Sequence, residues 1–190
     1  MNDDMIVINT GTDKISYEPY DLVPEDHALL SKKIPVFEFD KEHDPVTIKE
    51  RLIQTLKNNK ALGLAANQCG LEYNVFVMGA EDQYMSFFNP KIVFRSEETV
   101  HLPEYCLSYP FLELNISRPK DIEVEYQDEH GNIHRQYFTG LSARCAQHEI
   151  DHLNGITFIK VAKTLALKNG MKKRQKMIKQ YARNLLRSRC

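Results

Sequence analysis

The pentapeptide His148-Glu149-Ile150-Asp151-His152 limits the fold more than any other part of this sequence. Histidines four residues apart stand one above the other when the segment is helical, so both imidazoles can reach one ion. A catalytic divalent site usually has three protein ligands and an open position. Past His152 the chain has no His, Asp or Glu, and its only Cys is Cys190. The third ligand must therefore come from upstream, and the helix must pack against the segment that supplies it. The best source is Cys106, within Glu104-Tyr105-Cys106-Leu107-Ser108. A thiolate at the head of a β segment can be held rigidly against the helix, offsets one unit of metal charge and favours a tetrahedral site. A lone cysteine is more often a small buried hydrophobe. Cys145, three residues before His148, reads in that way, as core or pocket wall.

The 190 residues suit one domain. The polar stretch to about Lys33 reads as irregular, and residues 34–39 as a short extended segment. Asp44-Pro45 opens a helix, with Asp44 as N-cap and Pro45 at the first helical position; Ile48, Leu52, Ile53 and Leu56 make its apolar stripe. The pair Asn58-Asn59 ends it. From 73 to 138 the pattern is β: segments 74–78, 84–88, 107–116 and 121–126 are rich in aromatic and β-branched residues, and Glu129-His130-Gly131-Asn132 suits a hairpin turn. The metal-binding helix begins near Thr139-Gly140 and runs to Leu153, with Gly155 just past its end. After Asn169-Gly170 a basic amphipathic helix spans about 171–188. The fold class is α+β: short antiparallel sheets packed around a central metal-binding helix, with a C-terminal helix. The expected organisation is a catalytic domain over 1–168 and a basic helical extension over 169–190.

Net charge is −1, which hides a strong asymmetry. Residues 1–151 carry 14 basic against 26 acidic groups, whereas the last 39 carry 11 basic groups and no acid. A tail of that kind suits an anionic partner. The acidic, polar opening residues do not read as an export signal, and no apolar run is long enough to span a membrane, so a cytoplasmic protein without membrane contact is expected. In a reducing compartment the four cysteines read as core, ligand or nucleophile, not as disulfides. Histidines 27, 43, 101, 130 and 134 show no partner and read as surface.

Three motifs in fixed order resemble the peptide deformylase family: Gly63-Leu64-Ala65-Ala66-Asn67-Gln68, then Glu104-Tyr105-Cys106-Leu107-Ser108, then Gln147-His148-Glu149-Ile150-Asp151-His152. Phe88-Asn89-Pro90 is also similar, and the resemblance covers about residues 35–160. It implies hydrolysis of the N-formyl group from the N-terminal methionine of newly made polypeptides. It also implies one divalent metal on Cys106, His148 and His152, with iron(II) as the physiological ion and zinc or nickel as surrogates. Glu149 would be the acid–base residue, with Gln68 and the Leu107 N–H as donors to the oxyanion. Leu62, Leu141 and Cys145 become candidate walls of the methionine pocket, and Gly63 would present its backbone to the peptide. Asp151 would orient a ligand or stand as a solvated helix residue.

Two positions depart from the family pattern. Ala61 stands where the first motif usually opens with glycine, and Tyr105 stands where a glycine usually precedes the ligand cysteine. The backbone there would still line the peptide, but the Tyr105 phenol narrows or reshapes the cleft. A C-terminal helix is implicated in ribosome binding in some family members, which matches the basic tail. Two readings compete. One is an HExxH metallopeptidase, opposed by the missing downstream ligand. The other is a non-catalytic protein that binds ribosomes or RNA around a structural metal, which needs a fourth ligand such as Cys145 or Cys69.

Overall fold

The computed structural model describes residues 16–187, so the first part of the expected irregular opening and residues Arg189 and Cys190 lie outside it. Helix α1 (Pro45–Asn58) starts as its sequence predicts: Asp44 accepts from the Val46 N–H at 3.1 Å and from the Thr47 hydroxyl at 2.6 Å. Seven strands follow: β1 (Gly63–Ala65), β2 (Val75–Ala80), β3 (Gln83–Arg95), β4 (Thr99–Tyr105), β5 (Glu113–Pro119), β6 (Asp121–Gln127) and β7 (Ile133–Thr139). Then come α2 (Gly140–Leu153), the single turn α3 (Phe158–Val161) and the long α4 (Thr164–Arg187).

The strands form two antiparallel sheets, one of five strands in the order β1-β2-β3-β6-β7 and one of β4 with β5. Side chains alternate across a strand. Leu64, Val75, Val77 and Phe88 therefore join Leu52 and Leu56 of α1 on one face of the larger sheet. Ala65, Phe76 and Phe87 join Ala143, Ala146 and Ile150 of α2 on the other. Burial on both faces explains why this part of the sequence reads as short apolar runs. A third core of Cys106, Leu112, Leu114, Ile116 and Phe158, with Leu167 of α4 against it, lies under the smaller sheet. Helix α2 is thus enclosed, and Gly155 beyond it takes φ +70°, where an added Cβ would sit 2.7 Å from the Ser31 carbonyl oxygen.

Several sequence expectations need correction. Segment 107–116 is not one strand: Tyr109 N–H bonds back to the Cys106 carbonyl and Leu112 N–H to that of Tyr109, so the chain turns before β5. Strand β4 precedes this turn. Its Pro103 hides it in the sequence, but β4 pairs with β5 alone, and proline is tolerated in such edge strands. Cys106 accordingly follows the end of β4 and does not head a strand. Segment 34–39 joins neither sheet; it is anchored by Ile34 N–H on the Leu153 carbonyl (2.8 Å) and Phe37 N–H on Asn89 Oδ1 (2.7 Å).

The C-terminal helix begins at Thr164, not near 171, and passes through Asn169-Gly170 without a break. Gly170 serves close packing instead: it is buried, and a Cβ there would lie 2.5 Å from Leu114 Cδ2 and 2.9 Å from the Glu113 carbonyl oxygen. Lys173 pairs with Glu113 at 3.0 Å, and Arg174 pairs with Glu25 and donates to the Pro110 carbonyl at 2.9 Å. The first part of α4 is therefore docked on the body. Met177, Ile178 and Leu185 stay exposed beyond it, and Tyr181 touches the ring of Phe111.

Candidate metal centre and cleft

Cys106, at the end of β4, meets His148 and His152 on α2. One ligand atom from each lies within 4.8 Å of the other two, and all three residues are buried. Cys106 Sγ is 3.2 Å from His152 Nε2. Among the described residues Cys145 and Cys69 do not join this group, so the structural four-ligand reading finds no fourth ligand. One thiolate and two imidazoles form a donor set that suits zinc or a late first-row divalent ion.

A buried polar network holds the imidazoles. Glu104 Oε2 lies 3.1 Å from His148 Nδ1, and its carboxylate also accepts from Arg118 Nε at 2.6 Å and Arg144 Nη1 at 2.6 Å. Burial by itself would raise the Glu104 carboxyl, but the hydrogen bonds from His148 and Arg118 outweigh it and hold the group at about 2. Burial likewise favours a neutral His148, yet its contacts with Cys106 and Glu104 raise its pKa well above the usual value. His152 moves the opposite way, pushed down by burial and by the charges of His148 and Arg118. Its carbonyl accepts from Asn67 Nδ2 at 2.7 Å, which ties α2 to the turn after β1. Asp151 pairs with Arg118 at 2.7 Å and does not contact an imidazole in any recorded bond.

Beside the ligand cluster, Glu149 is buried in α2, and burial pushes its carboxyl up to about 7. Among the described residues its Oε2 has no hydrogen-bond partner. Gln68 reaches the cluster from the other side. Its Oε1 accepts from the Ala65 N–H at 2.9 Å, which turns Nε2 toward Ser108 Oγ (3.1 Å) and Cys106 Sγ (3.6 Å).

These groups open on a cavity of about 370 Å³. Gln68, Cys106, Leu107, His148 and Glu149 line its inner part, and Leu62, Gly63, Tyr105, Leu141 and Cys145 line it as well. His152 belongs to the ligand cluster but not to the cavity wall. The Tyr105 side chain is exposed and bonded to Glu113. Sequence reasoning quoted Glu104 in a motif without a role and missed Arg118 and Arg144. The available signal was Arg144 itself, a charge within a helix whose neighbours read as buried, which requires a buried acid. The surface histidines also have local partners: His43 meets Asp40, His134 meets Asp128, and His27 caps Leu29.

Three convergent metal-ligating side chains, an unpartnered buried carboxyl and an open cleft define a metal-dependent hydrolase. The family model for polypeptide deformylase matches residues 21–168. A peptide deformylase of Synechocystis is 34% identical over 174 residues, covering 86% of this chain and 93% of that one. The Thermotoga maritima protein is 39% identical over 134 residues, covering 70% and 80%. Among solved structures, the Synechococcus elongatus peptide deformylase in complex with actinonin superposes with a TM-score of 0.77 at 31% identity, covering 85% of this chain and 91% of that one. This chain belongs to the peptide deformylase family.

Proposed function

We propose that this enzyme removes the formyl group from N-formylmethionyl nascent peptides, with Cys106, His148 and His152 holding the metal. The observation that carries the reading is the buried, unpartnered Glu149 Oε2 beside that cluster at the base of the cleft. When bound, the ion supplies Lewis acidity that lowers the pKa of a water molecule and polarises a carbonyl. Glu149 takes the proton of the attacking water and passes it to the leaving amine, a task suited to a carboxyl raised to about 7. Gln68 Nε2 and the Leu107 N–H donate to the formyl oxygen as it gains charge; one such donor is typically worth about 3 kcal/mol. Formate and a free N-terminal amine result. Leu62, Leu141 and Cys145 receive the methionine side chain, and Gly63 and Tyr105 border the peptide.

Iron(II) is the physiological ion in this reading, with zinc or nickel as surrogates. Zinc binds such donors more tightly than iron(II), so occupancy follows availability, and iron next to a thiolate makes the enzyme oxygen-sensitive. The test is incubation with formyl-Met peptide and assay of released formate, with and without a chelator. No chelator-sensitive formate would overturn the activity.

The far end of α4 docks on ribosomal RNA in the cytoplasm, as a basic extension of the catalytic domain. Two observations support this. Its apolar stripe stays exposed, and Lys172, Lys176, Lys179, Arg183 and Arg187 are exposed around it. No helix of the described chain is long and apolar enough to cross a membrane. Binding through phosphates weakens steeply with salt, so truncation after Gln175 should abolish salt-sensitive co-sedimentation with ribosomes. Equal co-sedimentation of both forms would remove the docking role.

A further inference from the structure

Gly63 has no strained backbone that would require glycine; it sits in β1, paired in register with Met78 of β2. What it lacks is a Cβ. An atom there would lie 2.6 Å from Glu149 Oε1, 2.9 Å from Glu149 Cγ and 2.6 Å from Cys145 Sγ. Two side chains one turn apart on α2 therefore occupy the space that any other residue at 63 would fill. Both are held inside a closed core, since Ala143, Ala146 and Ile150 of the same helix are buried against the sheet. Two residues further along β1, the Ala65 N–H bonds to Gln68 Oε1 at 2.9 Å and also lies close enough to Glu149 to favour its charged form.

We propose that Gly63 is a positioning residue for Glu149: the missing Cβ is the slot in which the acid–base carboxyl sits. This rests on the reading of Glu149 as the acid–base group. A carboxyl displaced by an ångström no longer reaches the reacting atoms in line, whereas the metal ligands and the methionine pocket stay in place. The loss should then appear in kcat and not in binding.

The test compares Gly63→Ala with the parent, and Gly63→Ala/Cys145→Ala with Cys145→Ala, each fully metal-loaded, by formyl-peptide turnover and metal analysis. Gly63→Ala should lower kcat by one to two orders of magnitude, as a misplacement of about 1 Å can. KM should stay within about twofold, and metal stoichiometry should not change. In the Cys145→Ala background the displaced carboxyl has room to return, so the same substitution should cost several-fold less. A rise in KM with kcat unchanged would overturn the proposal and assign Gly63 to the peptide backbone instead. Equal losses in the two backgrounds would overturn it as well, by showing a packing defect unrelated to the slot. If Gly63→Ala does not fold, the Cys145→Ala pair carries the comparison: a kcat loss under about tenfold there supports the slot, and a full loss rejects it. A Glu149→Gln enzyme that still turns over would instead remove the acid–base reading itself.

Discussion

Glu104 Oε2 stands 3.1 Å from His148 Nδ1, so one buried carboxylate decides which nitrogen of that imidazole faces Cys106. The same carboxylate joins Arg118 and Arg144, and Arg118 continues to Asp151. The metal cluster is thereby fastened to β4, β5 and α2 through one charged node.

Replacing Glu104 by Gln should weaken metal binding by about 10- to 100-fold, the usual effect of losing a ligand's orienting partner. It also leaves two buried guanidinium groups without their shared counter-charge. Breaking a buried pair in that way costs about 3–5 kcal/mol. Chelator competition and denaturant unfolding would measure the two effects. Unchanged metal affinity would show that Glu104 does not orient His148.

The folded-state pKa of Glu104 is depressed from 4.5 to about 2, so its contribution to stability is present above about 4.5 and is lost as pH falls toward 2. In that window the unfolded chain binds the proton first. Metal-free protein should lose stability across this range, and Glu104→Gln should show a shallower slope there. Denaturation midpoints collected from pH 5 to 2 would compare them; parallel curves would contradict the assignment.

Cys106→Ala should lose the metal, while Glu149→Ala and Cys145→Ala should keep it. Glu149→Ala should also lose turnover, because its Oε2 lies beside the ligands without a partner of its own. Metal analysis of the three purified variants checks the set. A Cys145→Ala protein without metal would overturn it.

Gly170→Ala tests the docking of α4. Alanine gains about 1 kcal/mol of helix propensity over glycine. Here its Cβ would lie 2.5 Å from Leu114 Cδ2 and 2.9 Å from a backbone oxygen, and the backbone cannot yield as a side chain end can. Overpacking of this kind typically costs about 1–3 kcal/mol, so net destabilisation is expected in urea unfolding. A more stable variant would mean that the helix is not seated on β5. Truncation after Asn169 should likewise destabilise the protein, because it removes Gly170, Lys173 and Arg174 from their contacts. Truncation after Gln175 should leave turnover unchanged.

What the sequence determined by itself rests on short range. The spacing of His148 and His152 implies a helix with two ligands on one face, and Asp44-Pro45 starts α1 through a bond two residues away. The turn between β6 and β7 follows from Asp128, whose carboxylate accepts the N–H groups of His130 and Asn132 at 2.9 Å each. In each case periodicity or a cap is decided within a few residues. The three motifs also carried the ligand set by resemblance, since Cys106 was named before any geometry placed it.

Only the tertiary structure decided the rest, because the deciding contacts join residues far apart in the chain. Cys106 was separated from Cys145 as a metal ligand by the placement of β4 against α2. Arg118 and Arg144 acquired a role when Glu104 was buried between them. Asn169-Gly170 carries the composition of a helix stop, yet the helix continues, because close packing on β5 requires the absent side chain. Gly63 is the same case at the catalytic centre. The composition of a short strand cannot reveal which side chain of a helix more than 80 residues away will fill the space it leaves.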